Sequence, residues 1–149
     1  MNAPEMRSRI LVADDNEEIL NFLRESLESF GAEVESVCNG ERALEVAFVR
    51  PFDLVVLDID MPQMDGLETC RRLRALPFTA ELPVLFLTAD TRASTIEEAF
   101  RVGATDFLCK PVNALVLRAR ISNLIGIRKM SQEVSRISEA LKNLGTTRS

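Results

Sequence analysis

The chain has 149 residues, 46% of them hydrophobic and 28% charged, which suits one compact domain with a real core and leaves too little for a second full domain. No apolar run approaches the ~20 residues of a bilayer span, and Met1 to Arg9 lacks the apolar stretch of a secretory signal, so the cytoplasm is the expected compartment, with no membrane partner. Net charge is −5, unevenly spread: residues 1 to 111 carry 11 basic and 21 acidic side chains, residues 112 to 149 carry 7 and 2, and this basic tail lacks the aromatic interleaving or helix-turn-helix pattern of a nucleic-acid binder.

The first short apolar run, Ile10 to Ala13, reads as a buried strand. Ile19, Leu20, Leu23, Leu27 and Phe30 follow at helical spacing, and Gly31 stops that helix. Val34 to Val37 reads as a second strand, and Ala43, Leu44, Ala47 and Phe48 as the apolar face of a second helix that Pro51 closes. Leu54 to Leu57 and Val84 to Leu87 are the third and fourth strands. A helix beginning near Thr91 and ending before Gly103 leads to the fifth strand, Phe107 to Cys109. Strand then helix, five times, predicts a parallel sheet with helices on both faces, because right-handed crossovers leave few other topologies. The expected fold is α/β, a doubly wound, flavodoxin-like sheet of five strands in the order 2-1-3-4-5. Cys38, Cys70 and Cys109 are odd in number and widely spaced; they fit neither a disulfide framework nor a zinc site and are expected as reduced, mostly buried thiols.

The fifth helix, starting near Val112 or Asn113, runs past the point where the domain needs it. After Leu117, Ile121 and Leu124, apolar residues continue at Ile127, Met130, Val134, Ile137, Leu141 and Leu144 in steps of three or four, a coiled-coil-like stripe. The stripe either packs on its own domain or protrudes for dimerisation or connection to an output domain. The division expected is a compact unit over residues 1–128 and a helical extension over 129–149, fraying from Gly145.

In an open parallel sheet, ligands bind beyond the carboxyl ends of the strands, where strand order reverses. Asp14 and Asp15 follow the first strand, Asp58 ends the third, Thr88 the fourth and Lys110 the fifth, so all five polar groups converge on one edge. Asp14 or Asp15 alone reads equally well as a helix cap. Three carboxylates at adjacent strand ends are different, since unpaired they repel and one must hold a proton. A divalent cation resolves the conflict, and oxygen donors without histidine or a well-placed thiol point to Mg²⁺; Mn²⁺ can substitute.

The segments VADDNEE, VVLDIDMPQMDG around Asp58, LTAD around Thr88 and FLCKP around Lys110 make residues 8 to 128 similar to the receiver domain of bacterial two-component response regulators. The resemblance implies that Asp58 is the phosphoacceptor, served by a sensor histidine kinase or a histidine phosphotransfer protein. It also implies that Asp14 and Asp15 bind Mg²⁺ together with Asp58 and the backbone carbonyl of Asp60. Lys110 then pairs with the phosphoryl oxygens, Thr88 swings its hydroxyl onto them, and Phe107 is the aromatic that follows; Phe107 also reads as a permanently buried core ring. A cis bond before Pro111 is suggested in the same way. Met61, Pro62 and Gly66 shape the loop that aims Asp58 and Asp60. A carboxylate of ordinary pKa is ionised without a base and can attack phosphorus, so the absence of histidine is no obstacle. The domain is accordingly expected to be no enzyme beyond its own phosphorylation and dephosphorylation.

In the family, the positions two after the phosphoacceptor and two after the switch threonine tune phosphate loss. Here both are acidic, Asp60 and Asp90, which predicts repulsion of small anionic donors; Asp90 also reads as a cap of the fourth helix. The motif LDID also resembles the nucleophile motif of haloacid-dehalogenase-like phosphatases. Their paired acids come late in the chain, however, and Pro62 stands where Thr or Val is expected. A pure interaction module without phosphorylation is the other alternative. The signalling surface is expected to work by dimerisation, through the C-terminal helix or the face built from the fourth helix, fifth strand and fifth helix.

Overall fold

The computed structural model describes residues 7–146. Five strands and five helices alternate: β1 (Arg9–Ala13), α1 (Glu17–Glu28), β2 (Glu33–Val37), α2 (Gly40–Val49), β3 (Leu54–Asp58), α3 (Gly66–Arg74), β4 (Val84–Thr88), α4 (Ala93–Arg101), β5 (Asp106–Cys109) and α5 (Ala114–Thr146). All strand pairings are parallel, in the order β2-β1-β3-β4-β5, as the alternation of patterns requires. Every residue of β3 and β4 is buried, which is why each is a run of Val, Leu and Phe up to its last residue, Asp58 or Thr88. The edge strand β2 bears only a half-buried pattern and tolerates Glu33 and Glu35.

Because successive strand residues point to opposite faces, the core divides in two. Ile10, Val12, Leu54, Val56, Leu85 and Leu87 pack with Leu23 and Leu27 of α1 and with Leu117, Ile121, Leu124 and Ile125 of α5. On the other face Leu11, Ala13, Val55, Leu57, Val84 and Phe86 pack with α2 to α4 through Ala43, Leu44, Cys70, Leu73 and Ala99. Helix starts are set by side-chain caps: Asn16, Asn39 and Asp65 accept backbone N–H groups of the first turns of α1, α2 and α3, and Asn113 accepts those of Leu115 and Val116. The α1 cap is thus Asn16, and the cap reading of Asp14 and Asp15 is overturned.

Two further expectations are corrected. Only Cys70 is buried; Cys38 lies just beyond the edge strand β2 and Cys109 ends β5 at the rim of the sheet, so both are exposed, and all three are free thiols. Helix α5 continues one residue past Gly145, to Thr146, and residues 147–149 of the expected tail lie outside the described residues. From Ile127 onward the apolar residues of α5 are exposed, although Arg128 still donates to the Glu81 carbonyl and the helix as far as Gln132 flanks Pro83 and Thr105. No helix among the described residues is long and apolar enough to cross a membrane.

Candidate functional site

The register of the sheet assembles the acidic cluster. Ala13 lies opposite Leu57, which brings Asp14, one residue on, level with Asp58; Leu87 is opposite Asp58, and Thr88 is opposite Cys109, the residue before Lys110. Asp14 and Asp58 are buried, Asp15 is exposed, and oxygen atoms of the three carboxylates all lie within 4.8 Å of one another. Lys110 bridges the buried pair, its Nζ 3.2 Å from Asp14 Oδ2 and 3.1 Å from Asp58 Oδ1. Asp58 Oδ1 also accepts from the backbone N–H of Asp60 at 3.2 Å, and Asp14 Oδ1 from that of Asn16 at 2.9 Å.

Burial and the neighbouring Asp14 charge push the Asp58 carboxyl up to about 6, against the opposing pull of Lys110 and the Asp60 N–H. The nucleophile is still mostly ionised at neutral pH, with less margin than an ordinary carboxylate. Burial works to lower the Lys110 ammonium, but its bonds to Asp58 and Asp14 outweigh that and hold it above its usual range. One ammonium thus answers three carboxylates, and the donors are all hard oxygens with one exposed member, Asp15, at the mouth. That donor set fits Mg²⁺, which keeps several waters and takes one or two carboxylates.

Two glycines let the backbone close on the site. A Cβ on Gly66 would clash with the Asp58 carbonyl and lie 2.9 Å from Ile59 Cα; one on Gly40 would clash with Thr69 Oγ1. The loop between β3 and α3 is therefore held directly against the end of β3, and Gln63 within it takes a positive φ of 69°. The bond between Lys110 and Pro111 is cis.

Thr88 is buried at the end of β4, and its hydroxyl is engaged with Asp90: it accepts from the Asp90 N–H at 2.9 Å and donates to the Asp90 carbonyl at 3.2 Å. Asp90 in turn holds Arg92 through a bidentate pair at 2.7 and 3.0 Å and accepts from Thr95 Oγ1 at 2.7 Å, bonds that together hold its carboxyl well below the usual range. The cap position of α4 is Arg92, without a side-chain cap bond, so Asp90 acts as a brace for the turn ahead of the helix. Phe107 is half-buried and meets the exposed Phe100 of α4 edge to face at 5.9 Å.

Of the residues expected at the site, Asp14, Asp15, Asp58 and Lys110 are brought together, Asp60 adjoins them through its backbone N–H, Thr88 and Asp90 are bonded to each other beyond β4, and Phe107 meets Phe100 of α4 instead. Arg92, Thr95 and Phe100 escaped the sequence reading. Arg92 had a signal, a cation two residues after an acid at a loop–helix junction; Phe100 looked like any apolar residue of an amphipathic helix.

The family model for the response regulator receiver domain matches residues 10–122. The response regulator PleD of Caulobacter vibrioides is 35% identical over 141 residues, covering 94% of this chain and 31% of its own. The chain thus spans less than a third of that relative's length. Among solved structures, the chemotaxis protein CheY4 of Vibrio cholerae superposes with a TM-score of 0.77 at 31% identity, over 79% of this chain and 98% of its own. The receiver domain of a Pseudomonas aeruginosa sensor histidine kinase, with a magnesium ion coordinated in its active-site cleft, gives 0.76 at 28% identity, over 80% of this chain and 98% of its own.

Proposed function

Because the chain belongs to the response regulator receiver family, a family of phosphoacceptor signalling domains of two-component systems, we propose that Asp58 is its phosphoacceptor. The observation that carries this is the buried Asp58 carboxylate at the end of β3, bridged to Asp14 by Lys110. An Asp58 oxygen forms the O–P bond as the P–N bond to the donor's phosphohistidine breaks, and the leaving imidazole takes up a proton. Lys110 follows the charge onto the phosphoryl oxygens, so its role is electrostatic and positional. Asp14, Asp15, Asp58 and the Asp60 carbonyl would hold Mg²⁺, or Mn²⁺ in its place; when bound, the ion neutralises charge on the phosphoryl oxygens. Hydrolysis of the acyl phosphate returns Asp58 and inorganic phosphate, the only turnover the domain performs.

The donor is a sensor histidine kinase or a histidine phosphotransfer protein in the cytoplasm. An apolar recess of about 530 Å³ beside Lys110, lined by Ile19, Phe22, Pro111 and Val112 with Glu18 at its rim, gives such a protein a place to rest. Once Asp58 is phosphorylated, the Thr88 hydroxyl leaves Asp90 for the phosphoryl group, and Phe107 turns into the space with its contact to Phe100 rearranged. The receiver occupies residues 1–128, and 129–149 form an extension through which, or through the face of α4, β5 and α5, the chain forms a homodimer. Asp60 and Asp90 tune the phosphoryl lifetime and donor choice.

The test is beryllofluoride, a mimic of the acyl phosphate, added with magnesium to the wild type and to Asp58→Asn, followed by fluorine NMR and light scattering. Binding to the wild type alone is expected. No binding to either sinks the phosphoacceptor reading.

A further inference from the structure

We infer that α5 beyond Ile127 is one strand of a parallel, in-register, two-stranded coiled coil formed with a second copy of this chain. This deepens the homodimer reading above, choosing the extension over the α4-β5-α5 face, and does not depend on phosphorylation.

The phase of α5 changes where it leaves the domain. Leu117, Ile121, Leu124 and Ile125 face the core, whereas Ile127, Met130, Val134, Ile137 and Leu141 keep 46% to 70% of their surface exposed. At 100° per residue the second stripe lies on a different side of the helix from the first, and only Ile127, where the two meet, still lines a recess with Glu81, Pro83 and Thr105 of the receiver. The steps from Ile127 are three, four, three and four, which place Ile127, Val134 and Leu141 at position a of a heptad and Met130 and Ile137 at d. Upstream the same line meets Arg120, tied to Asp106 at 2.8 Å, and Asn123, so the apolar seam begins beyond the receiver.

Charge selects the occupant. Arg128, Lys129, Arg136 and Lys142 all fall at positions b or c, on the half of the helix away from the seam. The edges of the seam, positions e and g, hold Gly126, Ser131, Glu133, Ser138 and Ala140. An identical strand therefore meets no facing pair of like charges, and Glu133 stands opposite Ser138 of the second copy when the strands run parallel. Ile127 and Val134 at a match the two-stranded parallel pattern, and Leu144 supplies its leucine at d, whereas Met130 and Ile137 at d do not.

Gly126 supplies a separate observation. It sits inside the helix, where glycine is a poor choice; its φ is not positive, and a Cβ there would meet nothing within 4 Å. Nothing within the chain calls for glycine at this position, and at the g edge it leaves room for a neighbouring helix to enter the seam. The area agrees with a reversible pair. The seam is only about two and a half heptads long, so its interface is small beside the roughly 1,200 Å² of a stable one. A concentration-dependent dimer is the consequence.

The full chain is examined by sedimentation equilibrium over a concentration series. The wild type is expected to reach twice the chain mass, and Val134→Asp to weaken the dimer by more than about 100-fold. Ser135→Asp, the same charge change at the exposed position b, is expected to leave it intact, so a loss with both variants counts against the seam. Ile127→Cys should give an intermolecular disulfide on mild oxidation beyond that of the wild type, since antiparallel strands keep these positions at opposite ends. A monomeric wild type, a dimer indifferent to Val134→Asp, or an Ile127→Cys variant that does not cross-link overturns the proposal. Asp58→Asn must dimerise as the wild type does while losing beryllofluoride, which separates failure here from failure of the phosphoacceptor reading.

Discussion

Replacing Asp58 by Asn should stabilise the metal-free protein, and only at pH values where Asp58 is charged. The carboxyl titrates at about 6 in the folded protein against an ordinary value of 3.8. Between those values the folded chain binds more protons than the unfolded chain, so stability falls as pH rises through the window, and above the folded pKa the whole cost is present. The shift corresponds to at most ~3 kcal/mol, which screening at the pocket mouth reduces to about 1–2 kcal/mol. Urea unfolding in EDTA measures it. Asp58→Asn should gain about 1–2 kcal/mol over the wild type at about pH 7.5 and close to nothing at about pH 4. Lys110 keeps Asp14 as a partner in the variant, so no cation is orphaned. Magnesium should narrow the difference by stabilising the wild type. Equal gains at both pH values, or a loss at the higher one, would refute the assignment of the cost to an ionised Asp58.

Lys110→Met should slow phosphoryl uptake by about 100-fold or more while the fold persists, as measured by phosphotransfer from a cognate kinase; a rate within a few-fold of wild type removes Lys110 from the mechanism. Gly66→Ala should destabilise by about 1–3 kcal/mol in thermal unfolding, because its Cβ must displace the backbone of Asp58 and Ile59. Both acids were expected to repel small donors, but the Asp90 charge is already answered by Arg92, so Asp60→Asn should speed labelling by acetyl phosphate more than Asp90→Asn does. Equal rates at matched magnesium would show that the pairing does not matter. Thr88→Val should still take up beryllofluoride yet fail to alter the Phe107 environment, read by aromatic NMR shifts.

What the sequence made legible is what short-range pattern encodes. Continuous Val, Leu and Phe runs named β3 and β4 because strands buried on both faces carry no alternation, and the acids at strand ends named the site because a parallel sheet points those ends one way. Partners depending on long-range geometry stayed hidden. Nothing local in Lys110 says that it spans Asp14 and Asp58, since that depends on sheet order; nothing in Phe100 says that it meets Phe107, since that depends on the angle at which α4 crosses β5. Cys38 and Cys109 were misplaced because residue type reports average burial, whereas strand ends sit at the rim whatever residue occupies them. Asp90 was read by its charge and position alone; its partner Arg92 belongs to a turn whose shape the flanking residues do not announce.

Helix α5 begins four residues after Lys110 and runs for 33 residues, about 50 Å at 1.5 Å per residue. Its root follows closely on the strand end that carries Lys110 and its far end is exposed, the proportions of a lever held in the core from Leu117 to Ile125. A tilt of only about 5° carries the tip, about 32 Å beyond Ile125, through about 3 Å, over half the rise of one helical turn. A rearrangement too small to disturb the packing of the receiver is in this way amplified into a step large enough to change how whatever lies beyond the helix is aligned.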